Sequence, residues 1–166
     1  MIRMNRLLLN IITSLRILLG FLFLLCVHFE FGTPYLIIIF ILAVISDISD
    51  GWISRKYNLS SEDGAMFDVI SDFIFIMVST WALVLNGLIP AWFLMIIILK
   101  LVEFFQTSDE TLFYEKFNYI IALMFYAFPI AAVLINDSSI VLILAIFITV
   151  CVLISTLSKI YRKYHT

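Results

Sequence analysis

The sequence predicts an all-α integral membrane protein, a six-transmembrane-helix bundle with both termini cytoplasmic. Three observations carry this. Of the 166 residues, 64% are hydrophobic and 13% charged, and the mean hydropathy is +1.15, well beyond an ordinary water-soluble domain. The apolar residues gather in six runs close to the ~20 residues a helix needs to cross the hydrocarbon core. The Lys and Arg between the runs then fall on one side only.

The first run, 7–29, follows Arg3 and Arg6 and superficially looks like a secretory signal. Arg16 interrupts it and no small-x-small cleavage site follows, so it reads as a retained first helix. The second, 33–54, opens at Gly32-Thr33-Pro34 and closes at Arg55-Lys56. A polar stretch at 58–63 leads to the third, 64–85, with Glu62 and Asp63 suited to a helix N-terminus. Asn86-Gly87 separates it from the fourth, 89–105. Residues 106–110 and Lys116 precede the fifth, 117–135, and the polar stretch 136–139 precedes the sixth, 140–159. One membrane domain accounts for residues 1–166, with no soluble domain, repeat or low-complexity linker left over.

Arg3, Arg6, Arg55, Lys56, Lys116, Lys159, Arg162 and Lys163 all reach the same side under this count. The opposite loops, after runs one, three and five, hold no Lys or Arg. The positive-inside rule makes the basic side cytoplasmic. The net charge of −2 says little, and no strongly basic face points to nucleic acid, so no nucleic-acid partner is expected. Cys26 and Cys151 lie inside apolar runs with no partner spacing, so they read as small buried hydrophobes.

An ionisable residue inside a span is a functional candidate because burying it is costly. Arg16, Asp47, Asp50, Asp68, Asp72, Lys100 and Glu103 all fall in the cytoplasmic halves of their spans, whereas the outer halves are nearly free of charge. Asp47 and Asp50 are three apart and Asp68 and Asp72 four apart, so each pair shares one helix face. Spans two and three are antiparallel and joined by a short loop, so the two pairs can converge at one depth. Four such carboxylates stay ionised only beside cations. Oxygen ligands without thiolate or imidazole favour a hard divalent ion, Mg²⁺ or Mn²⁺, with Ca²⁺ possible. Such ions suit a phosphate-bearing substrate.

The residues Asp47-x2-Asp50-Gly51-x2-Ser54-Arg55-x8-Gly64-x3-Asp68-x3-Asp72 resemble the signature of the CDP-alcohol phosphotransferase family, D-x2-D-G-x2-A-R-x8-G-x3-D-x3-D. Seven of the eight fixed positions agree; Ser54 stands where the family has Ala. Asn10-x2-Thr13-x2-Arg16 looks like a further, looser element. The resemblance extends to the six-helix architecture, and its closest feel is to phosphatidylglycerophosphate synthase-like members. It implies transfer of a phosphatidyl group from a CDP-linked lipid such as CDP-diacylglycerol to a small polar alcohol, with release of CMP. Carried over by position, Asp47, Asp50, Asp68 and Asp72 would hold two divalent ions, with Asp72 as general base. Gly51, Gly64, Arg55, Asn10 and Thr13 would serve the CDP moiety. Arg16, Lys100 and Lys116 would serve the acceptor. A homodimer in the plasma membrane, with its active site at the cytoplasmic face, is the implied setting.

Phe73 departs from phosphatidylglycerophosphate and phosphatidylinositol-phosphate synthases, which usually have Lys or Arg after the last Asp. That weakens the case for a phosphorylated acceptor; Lys100, Glu103 and Lys116 strengthen it, and glycerol 3-phosphate is favoured slightly over serine, inositol phosphate and other alcohols. Three alternatives stand beside the enzyme: a structural ion-pair cluster, a small cation or proton transporter, and a family member without activity. His28 and His165 have no metal-ligand spacing and read as structural or solvated.

Overall fold

In the computed structural model, structure is described for residues 2–57, 62–107 and 116–165, and side chains for 11–57, 64–105 and 119–158. Among them the chain forms helices and no strand. The helices are α1 (Ile2–His28), α2 (Thr33–Lys56), α3 (Glu62–Leu85), α4 (Trp92–Thr107), α5 (Lys116–Ile135) and α6 (Ser138–His165).

The helix ends follow from local chemistry. After α1, Phe31 N–H donates to Cys26 C=O (2.9 Å) and Glu30 N–H to Val27 C=O (3.2 Å), closing the helix with Glu30 at φ 56°. Gly87, at φ 70°, ends α3 in the same way: Leu88 N–H meets Leu83 C=O at 3.0 Å and Gly87 N–H meets Val84 C=O at 2.9 Å. Asn136, at φ 47°, ends α5 through its N–H to Ala132 C=O, 2.9 Å. The next residue starts α6: Asp137 Oδ1 accepts from the N–H groups of Ser139 (2.8 Å) and Ile140 (3.1 Å), an N-cap. Pro34 sits in the first turn of α2, where its missing N–H loses nothing.

The fourth span departs from the sequence reading. The sequence predicts it over 89–105, but α4 starts at Trp92 and has 16 residues. Pro90 lacks an N–H and pushes the residue before it toward extended backbone, which delays the helix. Four apolar stretches within the described helices are long enough to cross a membrane: Ile11–His28, Thr33–Lys56, Gly64–Leu85 and Ser138–Ser158. Tyr119–Ile135 is a shorter apolar helix, with Pro129 inside α5. The outward positions are large and apolar, such as Leu18 (65% exposed), Met95 (66%) and Ile143 (67%). Exposed apolar surface repeated along every helix belongs in lipid, not water.

The chain divides into two compact units, Met1–Ala82 and Leu83–Thr166. In the first, α1 packs on α2 and, at Gly20, on α3, and Phe23, Ala43 and Phe75 are fully buried. A Cβ at Gly20 would lie 3.3 Å from the Phe75 Cα, so glycine lets α1 and α3 approach backbone to backbone. Ser46 Oγ donates to Ile12 C=O at 2.8 Å and ties α2 to α1. In the second unit, Phe93 of α4 is fully buried with its ring 4.5 Å from Phe128 and 5.9 Å from Phe125 of α5, centroid to centroid.

Gly20→Leu should force α1 from α3 and lower stability by about 1–3 kcal/mol. Leu18→Ala, on the exposed face, should change it by less than about 0.5 kcal/mol. Thermal denaturation of both variants in detergent checks this.

Candidate functional site

The site lies in the first unit and is built from one face of each of its three helices. Thr13 and Arg16 are three apart on α1; Asp47 and Asp50 are three apart on α2; Asp68 and Asp72 are four apart on α3. At 3.6 residues per turn each pair points one way. The close α1–α3 approach at Gly20, one turn beyond Arg16, brings these faces together.

Arg16 is the hub. Its side chain is 0% exposed, and its two terminal nitrogens meet all four carboxylates. Nη2 lies 2.6 Å from Asp50 Oδ2 and 3.2 Å from Asp47 Oδ1. Nη1 lies 2.9 Å from Asp68 Oδ1 and also donates to Asp72 Oδ1. Thr13, itself buried, donates to Asp50 Oδ2 at 3.2 Å. Asp50 is the deepest carboxylate at 4% exposed, whereas Asp47, Asp68 and Asp72 retain 45%, 40% and 30%. The cluster is therefore walled on the Asp50 side and open on the Asp47 and Asp68 side.

Carboxylate oxygens of Asp47, Asp50 and Asp68 lie within 4.8 Å of one another. Three oxygens on one octahedral Mg²⁺ include neighbouring pairs about 3 Å apart, so these carboxylates would have to draw in around an ion bound between them. Among the described residues Arg16 is the cation paired with these acids. Four carboxylates against one guanidinium leave a formal charge of −3 in an otherwise apolar helix trio. All-oxygen donors with that excess negative charge fit a hard divalent ion.

The other expected residues separate. Gly51 lies under the Arg55 side chain: a Cβ there would be 3.6 Å from an Arg55 terminal nitrogen. Arg55 is exposed at the end of α2, and Gly64 opens α3 near its start. The side chains of Asn10 and Lys116 fall outside the described residues. Lys100 belongs to the second unit. There its Nζ donates to both Glu103 oxygens (3.1 and 3.0 Å) and to Ser155 Oγ (3.3 Å), while Thr156 Oγ1 donates to Glu103 Oε2 (2.7 Å). Ser155 and Thr156 are on α6, so this network joins α4 to α6. Sequence reasoning missed Ser46, Ser155 and Thr156. The available signal was a small hydroxyl beside a charged position in an apolar run, since such hydroxyls bond across helices in lipid.

The family model of the CDP-alcohol phosphatidyltransferases matches residues 6–158. The chain belongs to this family. The match takes in all four Asp, Arg16 and most of α6. Shorter similarities reach individual members. One is the CDP-diacylglycerol–glycerol-3-phosphate 3-phosphatidyltransferase of Rickettsia typhi, 54% identical over 35 residues, which is 21% of this chain and 20% of that protein. Those of Rickettsia felis and Rickettsia prowazekii are likewise 54% identical over 35 residues, 21% of this chain and 19% of each. The matched stretch thus spans about a fifth of these curated relatives.

The α4–α6 network is mostly buried, with Lys100 and Glu103 side chains 14% and 17% exposed. Removing one partner of such a pair strands the other. Glu103→Leu should destabilise the protein by about 3 kcal/mol, and the Lys100→Met/Glu103→Leu double variant should recover most of that loss. Melting temperatures of the wild type, both single variants (Lys100→Met and Glu103→Leu) and the double variant in one detergent test the coupling.

Proposed function

We propose that this chain transfers a phosphatidyl group from a CDP-linked lipid, such as CDP-diacylglycerol, to the hydroxyl of a small polar alcohol and releases CMP. The observation carrying the reading is the meeting of Asp47, Asp50, Asp68 and Asp72 on Arg16, inside the stretch matched by the family. The printed names of the relatives favour glycerol 3-phosphate as acceptor. Six spanning helices forming one membrane domain, both termini in the cytoplasm and a site opening to that side complete the proposal. The setting is the plasma membrane, as a homodimer.

In this reading Asp47, Asp50, Asp68 and Asp72 would hold two Mg²⁺ or Mn²⁺ ions, which would supply positive charge to the donor's diphosphate and to the transferred phosphoryl group. Asp72 takes the proton of the acceptor hydroxyl. The hydroxyl oxygen bonds to the lipid-side phosphorus, the diphosphate bridge breaks, and CMP leaves with its own phosphate. Arg55, exposed next to Gly51, lies on the nucleotide side, where a guanidinium matches phosphate geometry. Thr13 fixes Asp50 from behind, and the acyl chains stay against the apolar outer faces of the helices.

A purely structural cluster is less well supported, because one guanidinium leaves three carboxylate charges unmatched. An ion or proton carrier and an inactive family member are separated from the enzyme by assay. Purified protein in detergent with Mg²⁺ or Mn²⁺ should release CMP from CDP-diacylglycerol in the presence of glycerol 3-phosphate. Serine, inositol and inositol phosphate serve as comparison acceptors. Asp72→Asn should lower the rate by about 10²–10⁴-fold while leaving the protein folded. Folded protein releasing no CMP with any acceptor would refute the transfer; metal-driven flux in liposomes without CDP-lipid would favour the carrier.

A further inference from the structure

Arg16 is engaged in a way that bears on how the site is filled. Its terminal nitrogens bind four carboxylates, yet its Nε–H, also buried, has no hydrogen-bond partner. A guanidinium offers five donors in a fixed fork, and a buried donor without an acceptor is costly. This arginine is therefore held by the pull of the carboxylates against an imperfect fit of its own. Its charge occupies the same place a metal would need: Asp47, Asp50 and Asp68, whose oxygens converge within 4.8 Å, each contact one of its terminal nitrogens.

We infer that Arg16 is a resident counter-cation, which holds the carboxylates together when metal is absent and is displaced from them when divalent ions bind. The inference rests on the metal-dependent reading of the site given above. Charge balance sets the direction. Without metal, Arg16 offsets one of four negative charges and keeps α1, α2 and α3 clamped on one another. Two divalent ions would bring four positive charges, matching the four carboxylates and leaving the guanidinium in surplus. Repulsion between Arg16 and the ions then drives its side chain off the acids and frees Asp72 from its contact with Nη1. Arg16 thus competes with the metal it helps to prepare for. Metal binding and arginine release are two sides of one equilibrium, and coupling of this kind commonly amounts to 5–150-fold in affinity.

Two measurements on the purified full chain in detergent test this, and neither uses a CDP-lipid. The first is phenylglyoxal labelling of wild-type protein, read at Arg16 by peptide mass spectrometry, with Arg55 as the exposed reference. Arg16 should be protected without metal and become reactive as Mn²⁺ is added, while Arg55 labels throughout. Labelling of Arg16 that stays flat or falls with Mn²⁺ overturns the inference. The second is Mn²⁺ binding followed by the electron-spin signal of the free ion. Arg16→Gln should bind Mn²⁺ about tenfold more tightly than wild type; equal or weaker binding overturns the inference. If Arg16→Gln does not fold, the wild-type labelling decides. Protein that shows metal-driven release of Arg16 but no CMP release keeps this inference and loses the transferase reading. CMP release with unchanged Arg16 labelling does the reverse.

Discussion

One guanidinium organises the first half of this protein. Arg16 has no exposed surface, and it reaches a carboxylate pair on each of two neighbouring helices. Arg16 and Asp50 are shut away from solvent, so the helices that carry them are held by the need to keep opposite charges in contact. Gly20 makes the arrangement possible by letting α1 meet α3 at the Phe75 backbone, and Ser46 pins α2 to α1 at Ile12. The hydrophobic faces alone would not set this register, because lipid tails solvate Leu and Ile as well as another helix does.

The second unit solves a similar problem differently. Lys100 and Glu103 neutralise each other within one turn of α4 and recruit hydroxyls from α6. Its polar cluster is balanced in charge, whereas the cluster around Arg16 carries three unmatched negative charges. One cluster closes its charges on itself and the other does not. The balanced pair also places Lys100 within an existing network, where any acceptor phosphate would have to compete with Glu103.

Access to the four carboxylates is uneven. Asp50 is closed off by Thr13 and Arg16, whereas Asp47 and Asp68 keep access to the outside.

Much of this was legible in the chain itself. Hydropathy and the one-sided Lys and Arg determined a helical membrane protein, because the hydrocarbon core admits few other backbones. The spacings Asp47/Asp50 and Asp68/Asp72 determined that each pair shares a face, because helical periodicity is local. The helix ends were foreshadowed by Gly87, Asn136 and Pro34, though the fourth helix starts late because Pro90 delays it. What the tertiary structure alone decided is where Arg16 goes. The family resemblance implies an acceptor-side role for Arg16; the structure sets its guanidinium among the four carboxylates. Likewise Lys100 meets Glu103 and, 55 residues away, Ser155, while Thr156 donates to Glu103. Contacts between helices depend on close approach at single small residues, and no periodicity within one helix records which neighbour will come near.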